Sequence, residues 1–270
     1  MAGPPHHRIH AIRYARHDRP AAENFLGGTD HQTPMPLDYY VWLIEREGMA
    51  PLLVDTGFGD AAAARRGRTM IRPVVEGLRA IGVEPSAIGD VILTHLHYDH
   101  AGRLDDFPAA RFHVQDAEMA GATGRGMVHP LVRAPFDADP LAQMIHLLFE
   151  DRIVFHRGDE AVAPGIMLRF LPGHTHGLQA VEVSTARGPI LLASDVAHLY
   201  ANLTRGIPFP IVVDVPAYLE AHRRLRALAP SLDHIIPGHD PLVLTAFPPG
   251  AARDVARVDL PPLRAIGELP

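Results

Sequence analysis

The 270-residue chain contains no cysteine, which removes disulfides, thiol nucleophiles and every zinc site built on thiolate. Any metal it binds must be held by nitrogen and oxygen. Tryptophan occurs once, and aromatic residues make up only 6%. Nowhere do roughly 18 apolar residues run together, so no membrane-spanning helix is expected. Residues 1–20 carry charge and proline in place of the apolar stretch of a signal peptide. Positive charge is not in excess either: 25 basic and 31 acidic residues, spread along the chain, give a formal charge of -6. That leaves no electrostatic footprint for a polyanion. Nucleic acid and membranes are therefore not expected partners, and the cytoplasm is the expected location.

What is present is a composition of 47% apolar and 21% charged residues, that of a globular chain long enough to bury a large core. One domain over residues 1–270 is the expectation. Histidine is the outlier, with 18 residues against six tyrosines.

Along the chain, residues 1–36 read as an edge strand followed by a long loop. Short β-type runs follow at 39–44 and 51–54, the second ending in Asp55-Thr56-Gly57. Apolar residues at Val74, Val75, Leu78 and Ile81 have the three-and-four spacing of an amphipathic helix over 72–81. Strands are expected at 90–94 and 111–114, with a helix beginning near Asp116. Residues 116–150 read as an insertion or cap, irregular from Gly121 and helical through 141–149. The β pattern returns at 153–155, 166–171, 180–183, 190–193 and 234–236, with one helix over 218–228. The two strand-rich halves are candidates for facing sheets.

One feature recurs. A short apolar strand ends, and the turn after it presents a metal-capable side chain: His95 after Leu93, His174 in Pro172-Gly173-His174, Asp195 after Ser194, and His239 in Pro237-Gly238-His239. Loops at one rim of a rigid scaffold are where catalytic groups gather. Within His95-Leu96-His97-Tyr98-Asp99-His100, the histidines at i and i+2 share one side of an extended chain and can grip one ion. Asp99 and His100, around the following turn, point to a second position. Imidazole and carboxylate without thiolate suit zinc, and also manganese, iron or cobalt.

These motifs resemble the metallo-β-lactamase fold superfamily over roughly residues 37–244. The resemblance implies an αββα sandwich with a dinuclear metal site at one edge. Carried over by motif, His95, His97 and His174 bind one divalent ion, Asp99, His100 and His239 the other, and Asp195 bridges them. Asp55 matches an early aspartate whose role is to accept a hydrogen bond from a ligand imidazole; read as a residue alone, it is a turn aspartate. His176 falls at a non-ligand position. His6, His7, His10, His17 and His31 read as solvated, and His113, His129, His146, His156, His222 and His234 as filler.

Two cations sharing a water supply hydroxide near neutral pH and polarise a carbonyl. Within the superfamily, Pro-Gly-His at 172–174, Ser194-Asp195 and Gly238-His239-Asp240-Pro241 are most similar to N-acyl-homoserine lactonases. The resemblance therefore implies opening of an N-acyl-homoserine or related small lactone, with another carboxylic ester or a thioester as the alternative. Asp99 would pass the proton to the leaving oxygen. Those lactonases place a tyrosine three residues after the bridging aspartate; here His198 stands there and Tyr200 lies two further on, so either could assist the oxyanion. Met119, Met127, Phe136, Met144 and Phe149 are candidates to cover an acyl chain, with the loop 24–37 as the other wall, and core packing explains the same residues equally well. Relatives are often dimers, so a homodimer is a possible partner state.

Overall fold

The computed structural model describes residues 6–28 and 32–268; His31 lies outside them. Thirteen strands are found among the described residues: β1 (Arg8–His17), β2 (Leu37–Glu45), β3 (Leu52–Val54), β4 (Thr69–Met70), β5 (Asp90–Ile92), β6 (Arg111–Gln115) and β7 (Ile153–His156), then β8 (Glu160–Ala163), β9 (Ile166–Phe170), β10 (Gln179–Thr185), β11 (Gly188–Ser194), β12 (Ile235–Pro237) and β13 (Val255–Arg257). They form one sheet in the order β13-β1-β2-β3-β5-β6-β7, with β4 paired to β1, and a second in the order β12-β11-β10-β9-β8.

Alternation along β2 shows why the sheets are layered as they are. Tyr40, Trp42 and Ile44 point to one face and pack with Val181, Val183, Ile190 and Leu192 of the second sheet. Tyr39, Val41 and Leu43 point to the other and meet Val74, Leu78, Met119, Met144 and Leu147 from helices. The far side of the second sheet buries Ala180, Leu191 and Ala193 against Ala221 and Leu225 of the helix Val215–Leu228. Helices cover both outer faces of two stacked sheets, the αββα sandwich of the metallo-β-lactamase fold. No helix among the described residues is long and apolar enough to cross a membrane.

Two expectations are corrected here. β1 is not an edge strand, because β13 pairs with its outer side, His10 facing Arg257. Its histidines are accordingly not solvated: His7 and His10 are buried, His10 Nε2 lies 2.9 Å from Glu45, and His17 is half-buried beside Arg68. Only His6 of the described N-terminal histidines is exposed. In the segment 116–150, the helix Ala138–Phe149 lies on the crossover between the parallel strands β6 and β7. Met119 and Met144 belong to the core beneath it, and Phe149, 85% exposed, covers nothing.

Met144→Ala is therefore expected to cost about 2–5 kcal/mol of stability by urea denaturation, the range for emptying a core site, with catalytic constants unchanged. A stable variant with altered KM would restore Met144 to the substrate wall. Burial first, and then the Arg68 guanidinium, push His17 down to about 4. A folded value below the ordinary 6.5 means a contribution fully present above about pH 6.5 and lost as pH falls through 4. His17→Gln should flatten the loss of stability between pH 6.5 and 4; an unchanged acid slope would contradict the assignment.

Candidate metal centre

β3 and β5 run side by side and parallel, with Val54 opposite Ile92, so Asp55 and the Thr94–His97 segment leave the first sheet at the same end. In the second sheet β11 and β12 are parallel, with Ser194 opposite Pro237, so Asp195 and His239 leave together. The turns are tight. Asp55 and Ser194 adopt positive φ, 63° and 46°, a conformation that L side chains hold only when their surroundings enforce it. Gly173 has φ 134°, and a Cβ there would lie 2.3 Å from the Tyr218 amide nitrogen; one at Gly238 would lie 2.8 Å from Asp195 Oδ1. Side chains at either position would push the rim apart.

The rim gathers seven donors. His97 Nδ1 lies 3.0 Å from His95 Nε2 and 3.0 Å from His174 Nε2. A tetrahedral ion with bonds of about 2.0 Å holds its donors about 3.3 Å apart, so three imidazoles at this spacing fit one face of such an ion. Asp195 closes the group, its Oδ2 lying 3.2 Å from His174 Nε2 and 3.8 Å from His95 Nε2. Its other oxygen, Oδ1, lies 2.9 Å from His239 Nε2 and 3.3 Å from His100 Nε2. Asp99 Oδ2 stands 3.7 Å and 3.9 Å from the same two nitrogens. His95, His97, His174 and Asp195 form one group able to hold a metal ion, and Asp99, His100 and His239 a second.

Outer partners fix which nitrogens face inward. His174 Nδ1 donates to the Ile211 carbonyl at 2.7 Å, His239 Nδ1 to the Asp38 carbonyl at 3.0 Å, and His100 Nδ1 to Asp55 Oδ2 at 2.7 Å. Each leaves Nε2 bare toward the cluster, and His100 Nε2, buried, has no hydrogen-bond partner at all. Burial, together with neighbouring imidazoles, holds His95 and His97 well below the ordinary histidine value, so their lone pairs are available. Burial alone would raise the Asp195 carboxyl, but His198, His239 and His100 more than reverse this and hold it well below the carboxylate range. Burial would likewise lower His100; Asp195, Asp55 and Asp99 overcome it and raise His100 well above its ordinary value. Three carboxylates around one buried imidazole mark a place suited to a cation.

A family model described as the metallo-beta-lactamase superfamily matches residues 35–239. The chain belongs to the metallo-beta-lactamase superfamily. An N-acyl homoserine lactonase of Bacillus thuringiensis is 30% identical over 220 residues, covering 76% of this chain and 82% of that one. A solved N-acyl homoserine lactone hydrolase, with the product N-hexanoyl-L-homoserine at its catalytic metal center, superposes with a TM-score of 0.71 at 25% identity, covering 89% of this chain and 95% of that one. A dizinc quorum-quenching lactonase, also holding its hexanoyl product, has the same fold, with a TM-score of 0.70 at 15% identity over 89% of this chain and 90% of that one.

In this metallo-beta-lactamase chain the expected ligand positions and Asp55 come together, and His198 joins them. Its Nε2 lies 2.9 Å from Asp195 Oδ2, and its ring is stacked on Phe209 at 3.7 Å. Tyr200 does not: its hydroxyl donates to the Ile235 carbonyl at 2.7 Å inside the core between the sheets. The helix Tyr200–Arg205 begins at this residue and turns the ring inward. His176 is exposed, away from the donors. Phe136 reaches the rim and stands edge-on to His97 at 4.5 Å.

Sequence reasoning missed the rest of the cleft wall, which includes Tyr39, Tyr98, Phe209, Ile211, Arg19 and Arg68. It also missed Glu118, a wholly buried carboxylate that accepts from the Leu96 amide, the Thr175 hydroxyl and the Gly177 amide. Glu118 thus ties the segment bearing His95 and His97 to the one bearing His174, and burial raises its carboxyl. The only available signal was an acidic residue on the apolar side of a helix. Glu118→Ala strands three buried donors and is expected to cost about 3 kcal/mol in urea denaturation; a loss under about 1 kcal/mol would show that the two segments hold without it.

Proposed function

We propose that this chain is a metal-dependent hydrolase that opens a lactone ring, using two divalent cations, zinc in the first instance. His95, His97 and His174 would hold one ion, Asp99, His100 and His239 the other, and Asp195 would serve both. The observation that carries this reading is Asp195 itself, whose two oxygens face two different sets of imidazole nitrogens. Cations held there lower the pKa of a coordinated water into the neutral range and polarise an ester carbonyl.

The chain's own residues do the rest. Asp99 is the more exposed of the two carboxylates, 12% against 3%, and lines the cleft, so its free oxygen can receive a proton and return it to the leaving alkoxide. His198, pushed down to about 3 by burial in spite of Asp195, stays neutral and keeps one ring proton. That proton, on the Nε2 that faces Asp195 Oδ2 at 2.9 Å, can be shared with a carbonyl oxygen that gains charge beside it. Phe209, stacked on the ring at 3.7 Å, and Asp195, 2.9 Å from its Nε2, keep it in place. The cleft holds only about 40 Å³, well below the usual range for ligand sites, so the substrate is small or trails its chain over the surface.

The test is proton release from a lactone panel by metal-loaded protein, with the Asp99→Asn variant beside it. Turnover that a chelator abolishes is expected, with kcat reduced about 10²–10⁴-fold in the variant while its melting curve is retained. Hydrolysis of glutathione thioesters but of no lactone would overturn the proposal.

A further inference from the structure

The cleft carries more positive charge than a neutral lactone requires. Two guanidiniums, Arg19 and Arg68, line it beside His97, His198 and His239, whereas its two carboxylates, Asp99 and Asp195, both belong to the metal-capable groups. Arg19 lies over the Phe209 ring at 5.1 Å and reaches Glu23, itself exposed, at 3.4 Å. Arg68 is different. Its neighbours Arg65 and Arg66 both pair with Asp137, but Arg68 pairs with no carboxylate among the described residues. Its Nε donates to the Tyr98 hydroxyl at 3.1 Å, and its Nη1 donates to His17 Nε2 at 3.1 Å and to the Arg66 carbonyl.

These contacts hold the guanidinium still without neutralising it. Tyr98 is itself clamped, with Arg66 over its ring at 3.9 Å and its hydroxyl 3.4 Å from that of Tyr39. The Tyr39 ring stands edge-on to His239 at 4.9 Å. Arg68 is therefore separated from the donors of the second group by two phenols, a span that one small molecule can bridge. With Nε and Nη1 engaged, Nη2 is the donor left on this half-buried, preoriented guanidinium, and without an acid partner it is suited to a charge-assisted hydrogen bond to a carboxylate.

We propose that the substrate carries a carboxylate apart from the bond that is cleaved, and that Arg68 binds it, with Arg19, which lines the same cleft, adding to the attraction. The inference rests on the ester-hydrolase reading for its kinetic readout alone. The substrate class is then a small anionic lactone, for which Arg68 determines specificity through binding and takes no part in bond cleavage.

The experiment compares a five-membered lactone bearing a carboxylate with the same lactone bearing a carboxamide, on the metal-loaded enzyme. The carboxylate compound should show kcat/KM about 10–100-fold higher, the range for one charge-assisted contact. Its KM should rise with added salt while that of the amide does not. Arg68→Met should abolish this preference through KM and leave the amide rate within about threefold, and Arg68→Lys should restore part of it. Equal kcat/KM for the two lactones in the wild type, or an equal loss on both in Arg68→Met, would overturn the proposal. The corresponding lactams, which resist hydrolysis, are titrated calorimetrically in parallel. If no lactone turns over, the hydrolase reading fails alone when the carboxylate lactam still binds at least tenfold tighter, and the Arg68 proposal fails with it when the two lactams bind alike.

Discussion

Lone pairs brought face to face in a dry site repel one another unless a cation or a proton lies between them, and the whole rim of this protein is arranged around that constraint. Three imidazole nitrogens meet at about 3 Å, and two further nitrogens approach a single carboxylate oxygen, with almost no solvent access. Burying such groups without compensation is among the most costly things a fold can do. The scaffold does not relieve the conflict by turning the rings away. It fixes them through backbone carbonyls of Ile211 and Asp38 and the Asp55 carboxylate, each of which takes the outer ring proton and leaves the inner nitrogen bare. The centre has the character of a mould for positive charge.

The mould needs both sheets, and a single chain of hydrogen bonds couples them. Asp55 accepts from the Thr94 amide at 2.7 Å and from the Thr94 hydroxyl at 2.8 Å, both at the end of the first sheet. Because the Thr94 hydroxyl donates to that carboxylate, the Ser194 hydroxyl, 2.8 Å away at the end of the second sheet, must donate to Thr94. Asp55 and Ser194, two of the four non-glycine residues with positive φ among the described residues, are thus the two ends of this chain. The strain at Ser194 sets the direction in which Asp195 leaves its strand. Glu118 repeats the device on the other side of the cluster, joining the turn after β5 to the turn after β9 by acceptance alone.

What the sequence disclosed follows from where the metal-capable side chains lie. Each is within a few residues of a short apolar run, so the local pattern of strand, turn and donor marks His95, His97, Asp99, His100, His174, Asp195 and His239 without knowledge of the topology. The apolar run at 39–44 and the amphipathic spacing before Ile81 were legible for the same reason. Residues that reach the cleft by long-range packing had no such mark. Arg68 reads as one more surface cation until β4 pairs with β1 and sets it against His17 and Tyr98. His7 and His10 read as solvated because what lies against them is remote in sequence, Ser184 at His7 and β13, some 245 residues on, at His10. Tyr200 was a candidate by spacing alone, and the start of a helix decided its direction. β8 opens on Glu160, and β13 follows Asp254 and ends on Arg257, so neither shows the compact apolar run by which the similarly short β5 and β12 are read.

His198 shows how the side chain at one position sets the physics of the site. A phenol there would carry one proton that rotates about its C–O bond. An imidazole carries its proton at either of two fixed positions. In this chain Tyr218 already donates to the Asp195 carbonyl at 2.5 Å, so it has no proton left for His198 Nδ1, 3.3 Å away. If the ring proton were on Nδ1, the bare Nε2 would face the Asp195 carboxylate at 2.9 Å, lone pair against charge. The proton therefore belongs on Nε2, shared with Asp195 and directed into the cleft, and Phe209 stacked at 5° prevents the ring from turning it elsewhere. A donor fixed in this way offers its proton at one place only, beside the Asp195 carboxylate on the wall of the cleft.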